Sequence, residues 1–170
     1  SEASGIIVFS TIVPNKISQM IDSETAVSLR LGIITGESVP QLTDDGQALR
    51  RKMEQHGVES TPLLWTDRSV DWASYDAVLF RSCWEYHTDP EQFHTLLAEL
   101  STAEIAVYNP IVAIEWNMHK SYLLDLSAAG ISIPSTAVVA AEDEISLKSV
   151  MDRQGLSRGV IKPAIGASST

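Results

Sequence analysis

The segment Pro163-Ala164-Ile165-Gly166-Ala167-Ser168-Ser169-Thr170 joins small side chains to three hydroxyls. Backbone N–H groups stand open in such a segment, and together with hydroxyls they can wrap phosphate oxygens. The same composition also makes a plain turn. It is not a Walker A loop, because GxxxxGK[ST] is absent and Lys162 precedes the glycine instead of following it. No GxGxxG follows the apolar run at 31–35, so a dinucleotide fingerprint is missing as well.

Two lysines stand out beside this loop. Lys162 closes the run Val160-Ile161-Lys162, where its ammonium, a compact charge on a long stem, suits phosphate. Lys120 is the only lysine or arginine between Arg81 and Lys148. It falls near the start of an expected helix, where the dipole disfavours a cation, so a bound anion would explain it. Surface lysines laid along apolar neighbours are the alternative for both.

Arg81 ends an expected central strand, and its planar fork fits a substrate carboxylate. Ser82 beside it offers a further donor. The competing role for Arg81 is an ion pair with Glu85 or Asp89 that pins the loop. Glu37, after the first strand, is placed to orient an amine. Trp84, Tyr86 and Trp116 read as packing between elements more than as an aromatic cage. Cys83 has no histidine predictably paired with it and reads as a simple buried thiol. His56, His87, His94 and His119 lack HExxH or HxH spacing, and Gln19, Asp22 and Glu24 lack calcium-loop spacing. No metal ligands are assigned.

The elements that must position these groups follow an α/β rhythm from residue 31. LGIIT (31–35) and DAVLF (76–80) are buried-type strands, and EIAVYNP supplies another that ends at Asn109-Pro110. VESTPLLW is a strand better suited to an edge, given Pro62. Thr43 caps a helix running to His56 and stopped by Gly57, with Asp44 and Asp45 in its first turn. Asp89 caps PEQFHTLLAEL, in which Phe93, Leu96, Leu97 and Leu100 share a face. Strands alternating with amphipathic helices imply a mostly parallel sheet covered on both sides. Ligands then gather outside the carboxyl ends of the strands, here Gly36-Glu37, Arg81-Ser82 and Asn109.

Further on, WNMHKSYLLDLSAAG reads as one helix closed by Gly130, and ISIPSTAVVA as a turn and strand. A helix over 142–151 would carry three acids in its first turn, and RGVIKP would be a strand entering the small-residue loop. Before residue 31, IIVF is strand-like and NKISQMIDSETAVSLR is a short helix candidate without a motif. The expected division is an N-terminal extension (1–30), an α/β domain (31–112) and the start of a second unit (113–170).

Composition sets the outer limits. The 170 residues allow one domain plus the opening of another, with 44% apolar and 20% charged residues as in ordinary globular chains. One cysteine excludes an internal disulfide framework. No run reaches the roughly 18 apolar residues of a membrane span, and the start SEASGIIVFS lacks a signal-peptide pattern. A cytoplasmic setting is therefore expected. The net charge of −10 argues against nucleic acid, whose backbone needs a basic footprint. The last 25 residues reverse the sign, with Lys148, Arg153, Arg158 and Lys162 against Asp152. A compact anion could be served there. The chain opens on Ser1 instead of methionine, which reads as processing or excerpting.

Taken in order, Asn109-Pro110, Asn117-Met118-His119-Lys120, Tyr122-Leu123-Leu124, Gly130-Ile131, Pro134, Val160-Ile161-Lys162-Pro163 and Gly166-Ala167-Ser168-Ser169 resemble the opening half of an ATP-grasp domain. Asp71-Trp72 and Arg81-Ser82-Cys83-Trp84-Glu85-Tyr86 resemble glutathione-synthetase-like and RimK-like ligases of the cycloserine-biosynthesis type. This resemblance covers about residues 31–170. It implies a three-layer, mostly parallel pre-ATP-grasp domain followed by the first, α+β ATP-grasp subdomain. It further implies an ATP-dependent carboxylate–amine ligase working through an acyl phosphate. Lys120, Lys162, Gly166, Ser168 and Ser169 would serve ATP, with Arg81 and Ser82 facing the acid. His119 stands where the commoner motif has aspartate. Mg2+ is implied too, with ligands expected beyond residue 170. The implied partners are a small carboxylic acid and an amine, with self-association left open. This stretch alone would be silent, being interrupted within the phosphate-covering loop. A non-catalytic nucleotide- or small-molecule-binding module, or a structural α/β domain of an assembly, is the alternative.

Overall fold

A computed structural model describes residues 28–166. The strand and helix candidates that lie within residues 1–27, and Ser168 and Ser169, fall outside the described residues. Four parallel strands, β1 (Leu29–Thr35), β2 (Val58–Leu64), β3 (Ala77–Ser82) and β4 (Ala106–Tyr108), form one sheet in the order β2-β1-β3-β4. Five α-helices among the described residues accompany them: α1 (Asp44–Glu54), α2 (Pro90–Thr102), α3 (Ile111–Met118), α4 (Tyr122–Ala128) and α5 (Leu147–Gln154). The parallel α/β expectation holds. Pro62 lies on β2, an edge strand, where its missing N–H costs the sheet least.

Strand periodicity sorts the core onto two faces. Ile34, Val78 and Phe80 point to the α2 side and meet Phe93, Leu96, Leu97 and Leu100, the face read from sequence. Leu31 and Ile33 point the other way, toward Leu42 and the half-buried Met53 and Leu79. Asp89 starts α2 by accepting the Gln92 N–H at 2.9 Å, ahead of Pro90. Thr43 starts α1 by accepting the Gly46 N–H at 3.3 Å. Asp71 caps a short 3-10 turn (Trp72–Ser74) in the β2–β3 connection.

The chain departs from expectation after α3. WNMHKSYLLDLSAAG is two helices, not one, because His119 is extended (φ −103°, ψ 129°) and forms an antiparallel bridge with Ile165. Gly130 does close the second helix, with φ +81°. The helix expected over 142–151 begins later, at Leu147. Ser146 is its cap, accepting from the Ser149 N–H at 3.2 Å, while Asp143 serves the preceding turn. Neither 131–140 nor 158–162 forms a strand. A strand exists only as half of a ladder, and these segments have no ladder partner among the described residues. At the other end, Leu29 and Arg30, expected at the end of a helix, open β1 instead.

Candidate functional site

The sheet reverses its winding between β1 and β3: α1 leads outward to β2, and α2 leads outward on the other side to β4. That is the switch point of a parallel sheet, where a crevice opens at the carboxyl ends. A cleft of about 330 Å3 lies there, lined by Thr43, Asp45, Phe80, Arg81, Ser82, Trp84 and Asn109. Arg81 and Ser82, singled out from sequence, both face it. So does Asn109, whose Nδ2 donates to the Phe80 carbonyl at 2.7 Å and ties the end of β4 to β3.

Register explains how Arg81 is presented. Ile34 pairs with Phe80 but Thr35 with Ser82, so Arg81 is the extra residue of a bulge at the end of β3. Bulges re-aim side chains at strand ends, and Arg81 is exposed between buried Phe80 and Ser82. The Gly36 N–H then donates to the Ser82 carbonyl at 3.1 Å and continues the link between the two strands.

The partner of Arg81 is neither Glu85 nor Asp89. Its guanidinium pairs with Asp45 in the first turn of α1, across the cleft. The Thr43 hydroxyl and Arg81 hold the Asp45 carboxyl below the ordinary aspartate value. Sequence reading assigned Thr43 and Asp45 to helix starting alone. Their place opposite Arg81 is set by the β1–β3 pairing, which brings together residues 36 positions apart. Glu37, expected to orient an amine, instead accepts from the Thr66 hydroxyl at 2.5 Å on the exposed rim.

Glu85, an expected partner for Arg81, instead joins two loops. Its Oε1 accepts the Ser38 N–H at 2.5 Å, and Oε2 is buried with no hydrogen-bond partner among the described residues. Burial works against the Glu85 charge, and the Ser38 hydrogen bonds outweigh it, so the carboxyl lies below its ordinary value. Cys83 beside it is an inert thiol. Burial pushes it up to about 12, and its Sγ donates to the Ile34 carbonyl at 3.4 Å.

A second group of sequence candidates meets beyond α3. The Lys120 N–H donates to the Ala164 carbonyl at 2.7 Å, and Lys120 Nζ donates to the Gly166 carbonyl at 2.6 Å. Two motifs 46 positions apart thus touch. Lys162 does not join them: it is exposed and makes no ion pair among the described residues. Tyr86, from the loop after β3, donates to the Met118 carbonyl at 3.4 Å and links the sheet to this group. Trp116 packs on Tyr122 with ring centres 5.2 Å apart and donates to Asp125, as a packing residue would.

A parallel α/β unit with its polar cleft at the switch point is thereby defined. Residues 31–109 match the family described as D-cycloserine synthetase DcsG, N-terminal domain. The chain is 31% identical over 117 residues to the cycloserine biosynthesis protein DcsG of Streptomyces lavendulae, covering 66% of this chain and 38% of that protein. It is also similar to the crystal structure of D-cycloserine synthetase DcsG, with a TM-score of 0.73 and 26% identity over 81% of this chain and 47% of the other. The chain spans less than half the length of either relative. It therefore resembles the N-terminal portion of a biosynthetic ligase, and the likeness to the cycloserine-biosynthesis type holds.

Proposed function

We propose that this chain is part of an ATP-dependent carboxylate–amine ligase, with the cleft on the sheet receiving the acid and the Lys120–Gly166 group receiving nucleotide phosphate. A carboxylate is a poor electrophile. Transfer of the γ-phosphoryl group to a carboxylate oxygen, with release of ADP, gives an acyl phosphate. The amine nitrogen then bonds to the acyl carbon as phosphate leaves and the nitrogen loses a proton.

The observation that supports this reading is the meeting of Lys120 Nζ with the Gly166 carbonyl. An ammonium held by one neutral carbonyl keeps its charge available, and phosphate oxygens are the stronger acceptors. Lys162, exposed on the same loop, would add a second cation when the loop folds over the nucleotide. In the other site, Arg81 would exchange Asp45 for the substrate carboxylate. Magnesium supplies charge neutralisation at the transferred group when bound with ATP. Among the described residues no set of three His, Cys, Asp or Glu side chains fits such an ion, so no step here is assigned to it.

Calorimetry of the complete protein with a non-hydrolysable ATP analogue tests the reading. Lys120→Ala and Lys162→Ala should each weaken binding by about 1–3 kcal/mol, roughly ten- to a hundredfold, as for charged hydrogen bonds. Unchanged affinity in both variants would defeat the nucleotide assignment. Analogue binding, with no ADP formed from ATP in a parallel assay with acid and amine present, would leave a nucleotide-binding module. No binding by the wild type would leave a structural α/β domain.

A further inference from the structure

We infer that Glu85 is a positioning residue for the cleft, holding the β1–α1 loop so that Thr43 and Asp45 face Arg81. The inference rests on the reading of that cleft as the acid site.

Three observations converge on Glu85. Its Oε1 takes the Ser38 N–H, so a side chain from the loop after β3 grips the loop after β1. Its Oε2 occupies the space where a side chain on residue 36 would begin: a Cβ at Gly36 would lie 1.9 Å from that oxygen. Glycine at the end of β1 is thus what admits the carboxylate. The gripped loop is otherwise short and self-bonded, with Thr35 Oγ1 donating to the Val39 carbonyl at 3.0 Å and the Leu42 N–H to the same carbonyl at 2.8 Å. It ends at Leu42, a buried residue with φ +65°, directly before Thr43 and Asp45. Moving Ser38 therefore moves one wall of the cleft relative to Arg81 on the other.

Trp84, the residue before Glu85, lines the cleft itself, so the turn that carries the grip also shapes the site.

The test uses the complete protein, with β-aminooxy-D-alanine, the ring-opened amino acid of D-cycloserine and a small acid with a free carboxylate, as the cleft probe and a non-hydrolysable ATP analogue as the control. Glu85→Ala should speed hydrogen exchange at the Ser38 amide. It should weaken β-aminooxy-D-alanine binding by about ten- to a hundredfold, as for a misplaced binding wall, with the analogue unaffected. Glu85→Gln, which keeps an acceptor at the same reach, should restore both readouts. Gly36→Ala, which evicts the carboxylate without removing it, should reproduce the loss. Unchanged exchange at Ser38, or equal weakening of both ligands, overturns the positioning role. A wild type that binds the analogue but not β-aminooxy-D-alanine overturns the cleft assignment and Glu85's role with it. A wild type that binds neither defeats the ligase reading first.

Discussion

Between Leu29 and Met118 the chain buries Ile33, Ile34, Val78, Phe93, Leu96, Leu97 and Leu100 almost completely, on two faces of one sheet. From His119 to Gly166 no described residue is buried, and Val160 and Ile161 are 82% and 76% exposed. The first region holds Arg81 and Asp45 on elements that its own core fixes. The second holds Lys120 and Gly166 through a bridge, two hydrogen bonds and little apolar contact. Regions with few buried contacts open at low free-energy cost, and moving ligand-covering segments are drawn from them. The contrast thus separates a rigid acid-side cleft from an adjustable phosphate-side segment under the proposed function.

The most forceful way to break this contrast is to cut into each region equally. Leu97→Ala removes a fully buried side chain between α2 and the sheet and should cost about 2–5 kcal/mol in urea unfolding. Leu124→Ala on α4, an exposed position, should stay within about 0.5 kcal/mol. Comparable losses would mean that the second region shares the core's cooperativity.

Legibility from sequence follows the same division. Phe93, Leu96, Leu97 and Leu100 could be read because helix period and burial agree, and Thr43 and Asp89 because capping is local chemistry. Pro62 on an edge strand follows from a missing donor. The rest depended on long-range pairing. The Arg81–Asp45 pair and the Glu85 grip need the β1–β3 register, which no local pattern encodes. The expected strands at 131–140 and 158–162 failed because apolar runs specify a strand only when a neighbour completes the ladder. Arg81, Ser82, Lys120 and Gly166 stood out in the sequence by residue type, and the fold brings the first two to one cleft and the last two into contact, whereas Asp45 was visible only as helix-start composition.

Alkaline titration sharpens the rigid side of the comparison. The Cys83 thiol, raised by burial from 9.0 to about 12, stays protonated in the fold where the unfolded chain would ionise. Its folded value lies above its unfolded one, so its contribution is fully present below pH 9 and is lost as pH rises toward 12. Two pH units above 9, the loss should reach roughly 3 kcal/mol. Cys83→Ser should flatten that part of the stability profile relative to the wild type, which chemical denaturation across the range would measure. Identical slopes would mean that the β3 end opens to water without global unfolding, against its assignment to the rigid region.

The smallest effect separates the regions most finely, because it applies one kind of interaction in both. Asp89 and Ser146 each accept a first-turn N–H, at 2.9 Å for α2 and 3.2 Å for α5. Either cap is worth about 1 kcal/mol to its own helix. Helix α2 lies on the core, so loss of the Asp89 cap should appear in full as a drop in global stability. Helix α5 has no buried residue and keeps little contact with the sheet. Ser146→Ala should therefore leave the global midpoint unchanged and instead speed amide exchange at Ser149 and Val150. Equal shifts of the midpoint would make α5 part of the cooperative core, and the division between fixed cleft and adjustable segment would have to be withdrawn.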